Sequence, residues 1–160
     1  MLCPCGSSLP LELCCSPIIS QQARASTPEV LMRSRYTAYV LKKADYIFST
    51  YASSTRQAQS IEDISNWANQ TKWLSLTIHQ TKNSSPYPNV LFTAVYIHQN
   101  KHCSMTEDSR FVMEDECWFY LDGDVIEHKE LASIKRIALC PCQSKKKFKH
   151  CCAKYCQLSS

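Results

Sequence analysis

Apolar and polar positions change their period near residue 72, which divides the middle of the chain into a helical part and a sheet part. Thr27-Pro28-Glu29 has the form of a helix start: a hydroxyl to cap, proline at the first helical position, an acid in the first turn. Leu31, Ser34, Ala38 and Leu41 follow on one face, and Lys42 and Lys43 suit a last turn. Asp45 is placed to cap a short second helix bearing Tyr46, Ile47 and Tyr51. Ser60 with Asp63 opens a third, running to about Asn69. From Lys72 the pattern alternates. Trp73 to Ile78 reads as a strand with one buried face, and Asn83-Ser84-Ser85-Pro86 breaks it. Val90 to His98 predicts a long strand, and the polar stretch from Asn100 to Asp108 predicts a loop. Arg110 to Glu114 and Cys117 to Leu121 predict two more strands, joined at Asp115-Glu116 and ended by Asp122-Gly123. Helices followed by an antiparallel sheet make an α+β pattern. Roughly 110 residues, 27–137, suffice for a core without metal.

Cysteine spacing adds more than composition does. Eleven of 160 residues are cysteine. Cys3, Cys5, Cys14 and Cys15 read C-x-C-x8-C-C, and Cys140, Cys142, Cys151 and Cys152 repeat that spacing 137 residues later. Pro4 and Pro141 occupy the same gap in the two copies. Residues 1–20 carry no basic and apolar tract of a secretory leader, and four cysteines stand where one would be. The expected compartment is therefore the reducing cytoplasm, where clustered cysteines favour metal over structural disulfides. Four thiolates fill a zinc tetrahedron and leave no open position, which predicts two structural zinc ions. Thiol redox chemistry and disulfides are the competing readings of the same spacing. Cys103, Cys117 and Cys156 stand outside the pattern. Cys117, in an apolar stretch, is expected in the core, and Cys156 as a spare thiol.

Charge separates the ends of the chain. The formal net charge is +4, yet residues 131–160 hold seven basic groups and no acid, which leaves the first 130 net acidic. Two glycines argue against a glycine-rich phosphate loop. No apolar run is long enough to span a bilayer.

CPCQSKKKFKHCC at 140–152 resembles the SEC-C motif, the zinc-binding tail of the SecA translocase ATPase. Gln143 and Lys145 stand where that motif carries glycines. CPCGSSLPLELCC at 3–15 keeps the ligand spacing and Gly6 but lacks the basic run. The whole chain resembles the YchJ (UPF0225) family, on both cysteine repeats and on LMRSRYTAYVLKKADYI, WLSLTI, SRFV and CWFYLDG in between. The resemblance implies an α+β, NTF2-like cone, with helices packed on a curved antiparallel sheet, between two small zinc knuckles. The segments are then a knuckle at 1–16, a linker at 17–26, the NTF2-like domain at 27–137 and a second knuckle at 138–156. It further implies a SecB-like export chaperone or the ribosome as partner.

These readings favour a non-catalytic zinc-binding adaptor over an enzyme. Lys145, Lys146, Lys147, Phe148 and Lys149 are the expected partner-binding residues, with RNA as an alternative partner because an aromatic among cations can stack on a base. A central pocket holding a small molecule is the third reading. Arg33, Arg35, Trp73 and Trp118 are its candidate lining, against a salt-bridged helix face and ordinary core packing. His79, His98, His102, His128 and His150 form no catalytic or metal spacing. His79 and His98 are expected as structural strand residues, His102 and His128 as exposed.

Overall fold

The computed structural model describes residues 1–84, 86–99, 101–131, 133–142 and 144–153. Gln143, Lys154 and Cys156, and the end of the 138–156 segment, lie outside the described residues. The helices are α1 (Ser16–Ile19), α2 (Pro28–Val40), α3 (Ala44–Ser49), α4 (Ser53–Arg56) and α5 (Ile61–Gln70). The strands are β1 (Thr71–Lys82), β2 (Asn89–His98), β3 (Lys101–Glu114) and β4 (Cys117–Glu130).

Local chemistry sets the helix ends. Thr27 Oγ1 accepts from Val30 N at 3.2 Å, and Ser60 Oγ accepts from Asp63 N at 3.2 Å. Helix α2 stops before the two lysines: Lys42 takes φ +60°, and Lys43 N donates back to Ala38 O. Asp45 does not cap α3. It lies in the first turn, Lys43 precedes the helix, and no side chain caps it. Tyr51 lies past the end of α3, in a parallel bridge with Tyr120. Residues 17–26, expected as a linker, begin inside α1, and Ile18, Ile19 and Ala25 pack against the core.

The sheet is an antiparallel meander in the order β1-β2-β3-β4. The NTF2 cone expected from the sequence is not formed. Among the described residues, β1 and β4 lie at opposite edges and do not pair, so the sheet is open rather than curled closed. The architecture is α+β with small cysteine-rich knuckles. Register shifts at Trp73/Ser75, Ile78/Gln80, Thr106/Glu107 and Arg110/Phe111 twist it locally but do not bring the edges together.

Two further expectations are corrected. The predicted loop from Asn100 to Asp108 is strand from Lys101 onward, paired with β2 from His98↔Lys101 to Asn89↔Arg110. Its alternation was hidden because Glu107, which follows Met105 on the helix side, is polar and lines a cavity. Gly123 does not end the last strand. β4 runs on to Glu130, an exposed arm with the ion pairs Lys101–Glu130 and Lys129–Glu127. The turn at Asp115-Glu116 forms as expected, with φ of +48° and +64° that match the sheet's twist.

The main core lies between α2 and the sheet. Leu31, Met32 and Tyr36 pack on Leu76, Phe92, Ala94 and Phe111. Alternation places Ile97 on the face opposite Tyr96. There it is buried against Cys140, Phe148 and Cys152, so the second cysteine repeat covers the far side of the sheet. The first repeat sits beside α2 and β1. Arg33 Nη1 donates to Cys5 O at 2.6 Å, and the backbone at Gly6 approaches Leu76 O.

Candidate metal centres

Each cysteine repeat folds into the same small loop. A bridge closes it, Leu2 with Pro10 in the first copy and Leu139 with Lys147 in the second. Cys3 N donates to Leu9 O and Cys140 N to Lys146 O, both at 2.8 Å. A single 3₁₀ turn follows, Leu11–Leu13 or Phe148–His150. The adjacent cysteines converge because the first of each pair leaves the helical region: Cys14 has φ −121°, ψ −96°, and Cys151 has φ −134°, ψ −109°.

The eight sulfurs expected as ligands gather as two groups of four, Cys3, Cys5, Cys14 and Cys15, and Cys140, Cys142, Cys151 and Cys152. Within each group all Sγ atoms lie within 4.8 Å of one another. Cys5–Cys14 and Cys14–Cys15 are 3.6 and 3.8 Å apart, and Cys142–Cys151 and Cys151–Cys152 are 3.4 and 3.9 Å. A tetrahedron with metal–sulfur bonds of about 2.3 Å has edges of about 3.8 Å. Donor type, number and spacing therefore fit one tetrathiolate ion per knuckle. Ser7 Oγ lies 3.2 Å from Cys14 Sγ and Ser144 Oγ 3.1 Å from Cys151 Sγ, the same hydroxyl support in both copies. The two-residue step from the second cysteine to a serine, shared by both repeats, was the sequence signal for it.

Proton affinity shows why the clusters favour a cation. The hydrogen bond from Cys15, against burial, and help from Ser7 draw the Cys5 thiol down to about 4. That same bond, then burial, pushes Cys15 far up. In the second cluster burial raises Cys142, but hydrogen bonds from Ser144 and Cys140 outweigh it and bring the thiol to about 6. Burial, followed by its bonds to Cys140 and Cys142, drives Cys152 up. Sulfurs packed this closely push one another's proton affinities apart, and a divalent ion among them would offset the negative charge of the thiolates.

Comparisons with known proteins identify the family and the second cysteine repeat. The family model described as "YchJ, middle NTF2-like domain" matches residues 27–123, and the SEC-C motif model matches residues 138–154. A UPF0225 protein of Enterobacter sp. (strain 638) is 40% identical over 153 residues, covering 94% of this chain and 97% of that protein. The chain belongs to the YchJ (UPF0225) family. Two solved structures of SEC-C motif containing proteins resemble this YchJ-family chain at 30% identity. The solution structure of RPA3114 from Rhodopseudomonas palustris has a TM-score of 0.74, over 79% of this chain and 100% of that one. A crystal structure from Psychrobacter arcticus has a TM-score of 0.70, over 97% of each.

Other candidate residues of this family member fall in different places. Lys145, Lys146, Lys147 and Lys149 are exposed on the second knuckle. Phe148 is not: it is 9% exposed and packs under the loop against Ile97. Arg33 meets no pocket. It pairs with Glu29 and holds the Cys5 carbonyl of the first knuckle. Arg35 and Trp73 line one cavity, and Trp118 lines a separate hollow with Arg24 and Phe119. His79 meets Thr93 and His98 meets Thr71. His128, exposed as expected, meets Tyr96. His102 is half-buried, and its Nε2 has no hydrogen-bond partner among the described residues. Cys103 is buried, Cys117 only half-buried. No helix among the described residues is long and apolar enough to cross a membrane.

Proposed function

We propose that this chain is a non-catalytic, zinc-holding adaptor of the bacterial cytoplasm, and that its C-terminal knuckle docks an acidic protein surface. One observation carries the reading: Lys145, Lys146, Lys147 and Lys149 are all exposed on a loop whose backbone is fixed at both ends. Cys140 N donates to Lys146 O, Phe148 N to Ala138 O and Lys149 N to Arg136 O. A zinc tetrathiolate carries a net charge near −2, so these lysines more than offset it and leave a cationic face. The SEC-C resemblance suggests a SecB-like chaperone or the ribosome, and an acidic patch on either is what this face would select. RNA is the weaker fit, because burial of Phe148 removes the ring that would stack on a base.

The N-terminal knuckle presents a different surface. Ser8, Leu9, Pro10 and Glu12 replace the four lysines, and Met1, Leu2 and Leu13 are exposed at 77%, 66% and 77%. The two knuckles are one scaffold with two recognition faces, and zinc in each acts as a cross-link that holds the loop.

Native mass spectrometry of reduced protein tests the metal, with two zinc ions per chain expected. Pull-down of a SecB-like chaperone or ribosomes tests the partner. Reversal of Lys145, Lys146 and Lys147 to glutamate should abolish capture while zinc content stays at two. Capture that survives the reversal, or that is lost on ribonuclease treatment, defeats the acidic-protein reading.

A further inference from the structure

A cavity of about 270 Å³ lies between α2, α5 and the helix-facing side of the sheet, apart from both cysteine clusters. Its walls are chiefly aromatic, with Tyr36, Tyr39, Trp67, Trp73 and Phe92 among them. Cavities of about 150 Å³ lined by apolar groups already take up benzene, so this one has room for a bicyclic ring.

Two charged side chains line it. Arg35 is 4% exposed. Its guanidinium carbon lies 4.5 Å from the Tyr51 ring centroid and 4.6 Å from that of Tyr120. Its Nη1 donates to Ile47 O at 2.8 Å and to Thr50 Oγ1 at 2.6 Å. The cation-binding position of this aromatic box is therefore filled by the protein's own arginine. Glu107 Oε1 accepts from Ser109 Oγ and Tyr120 OH, both at 2.7 Å, while Oε2 has no hydrogen-bond partner among the described residues. Gly123 makes that position available: a Cβ there would overlap the Glu107 carboxylate.

These facts restrict the guest. One positive and one negative group leave the wall without net charge, so a charged guest gains no net attraction from it to offset the loss of its water. Flat aromatic walls favour a ring that can stack on them. A half-buried carboxylate oxygen lacking a donor favours a guest that supplies one. We propose that this cavity binds an uncharged, flat aromatic molecule of about the size of indole, which donates one N–H or O–H to Glu107 Oε2. Binding places the ring between α2 and α5 on one side and β2 on the other.

Isothermal titration of the full chain with indole, 1-methylindole, benzoate and benzylammonium tests this. Indole should bind at least about tenfold more tightly than 1-methylindole, which keeps the ring but lacks the donor, and neither ion should bind measurably. Glu107→Gln should reduce indole to the level of 1-methylindole and leave 1-methylindole unchanged, because the amide would turn a donor toward the guest N–H. If Glu107→Gln does not fold, the wild-type comparison of indole with 1-methylindole decides alone. Equal binding of those two, tighter binding of either ion, or no binding by any of the four overturns the proposal.

Discussion

Replacing Ile97 by alanine should detach the C-terminal knuckle from the sheet while leaving all eight cluster cysteines in place. Ile97 is 2% exposed, and its buried neighbours are Cys140, Phe148, Cys152 and Ala153. Truncating a fully buried isoleucine costs about 2–5 kcal/mol, the lost transfer energy plus the cavity left behind. For a chain of this size each kcal/mol lowers Tm by roughly 2–4 °C. A cost near 3 kcal/mol therefore corresponds to a fall of about 6–12 °C. The assay is thermal melting by circular dichroism of wild type and Ile97→Ala, each with zinc and with excess chelator. Chelation frees the thiolates, loosens the loop and uncovers Ile97, so the cost of the substitution should shrink to about 1 kcal/mol or less, that of a partly solvated strand position. The informative quantity is the difference between the two costs. An equal Tm shift with and without zinc, or a shift below about 2 °C with zinc, would refute the claim that the metal-held loop is what buries Ile97.

Other predictions concern single groups. Cys14→Ser and Cys151→Ser should each remove one metal ion per chain and leave the other bound, as read by native mass spectrometry, because the two clusters share no ligand. Gly6→Ala should destabilise the first knuckle by about 1–2 kcal/mol, since Gly6 sits at φ +78° with Leu76 O 3.2 Å from where the Cβ would be; the N-terminal metal should then be the first lost in a chelator titration. Burial lowers the pKa of His102 below its ordinary value of 6.5. The unfolded chain then binds the proton more readily, so the stability from neutral His102 is full above about pH 6.5 and is lost as pH falls below it. Urea denaturation at pH about 7.5 and about 5.5 should show a smaller acid loss in His102→Gln than in wild type.

The cysteine clusters were legible in sequence because their sulfurs are local. A loop of thirteen residues, Cys3 to Cys15 or Cys140 to Cys152, contains a whole ligand set, so spacing alone encodes the geometry. The caps at Thr27 and Ser60 were legible for the same reason. The cavity was not. Arg35, Glu107 and Tyr120 come from α2, β3 and β4, and no short-range pattern joins them. Among the polar side chains that line it, Glu107 on β3 is the one that made the strand look like a loop. Phe148 misled in the opposite way: a ring among four lysines suggests a surface, yet Ile97, 51 positions earlier, supplies a buried place for it. The cone came from the family resemblance, and it failed because the edge strands β1 and β4 do not meet, which strand count and alternation cannot foretell.

The long separation between Ile97 and the loop that covers it also orders events during synthesis. The N-terminal sulfur set can close as soon as Cys15 has left the ribosome, since among the described residues its four sulfurs all lie within Cys3 to Cys15. Ile97 has to wait for Cys152, 55 residues further on. At roughly 5–20 residues per second the outer face of the nascent sheet stays bare for about 3–11 s, and for longer wherever zinc is scarce. With zinc bound as proposed, metal supply would act as a timer on a newborn chain, and zinc starvation should show first as chaperone occupancy or aggregation of recently made protein while older, loaded copies persist.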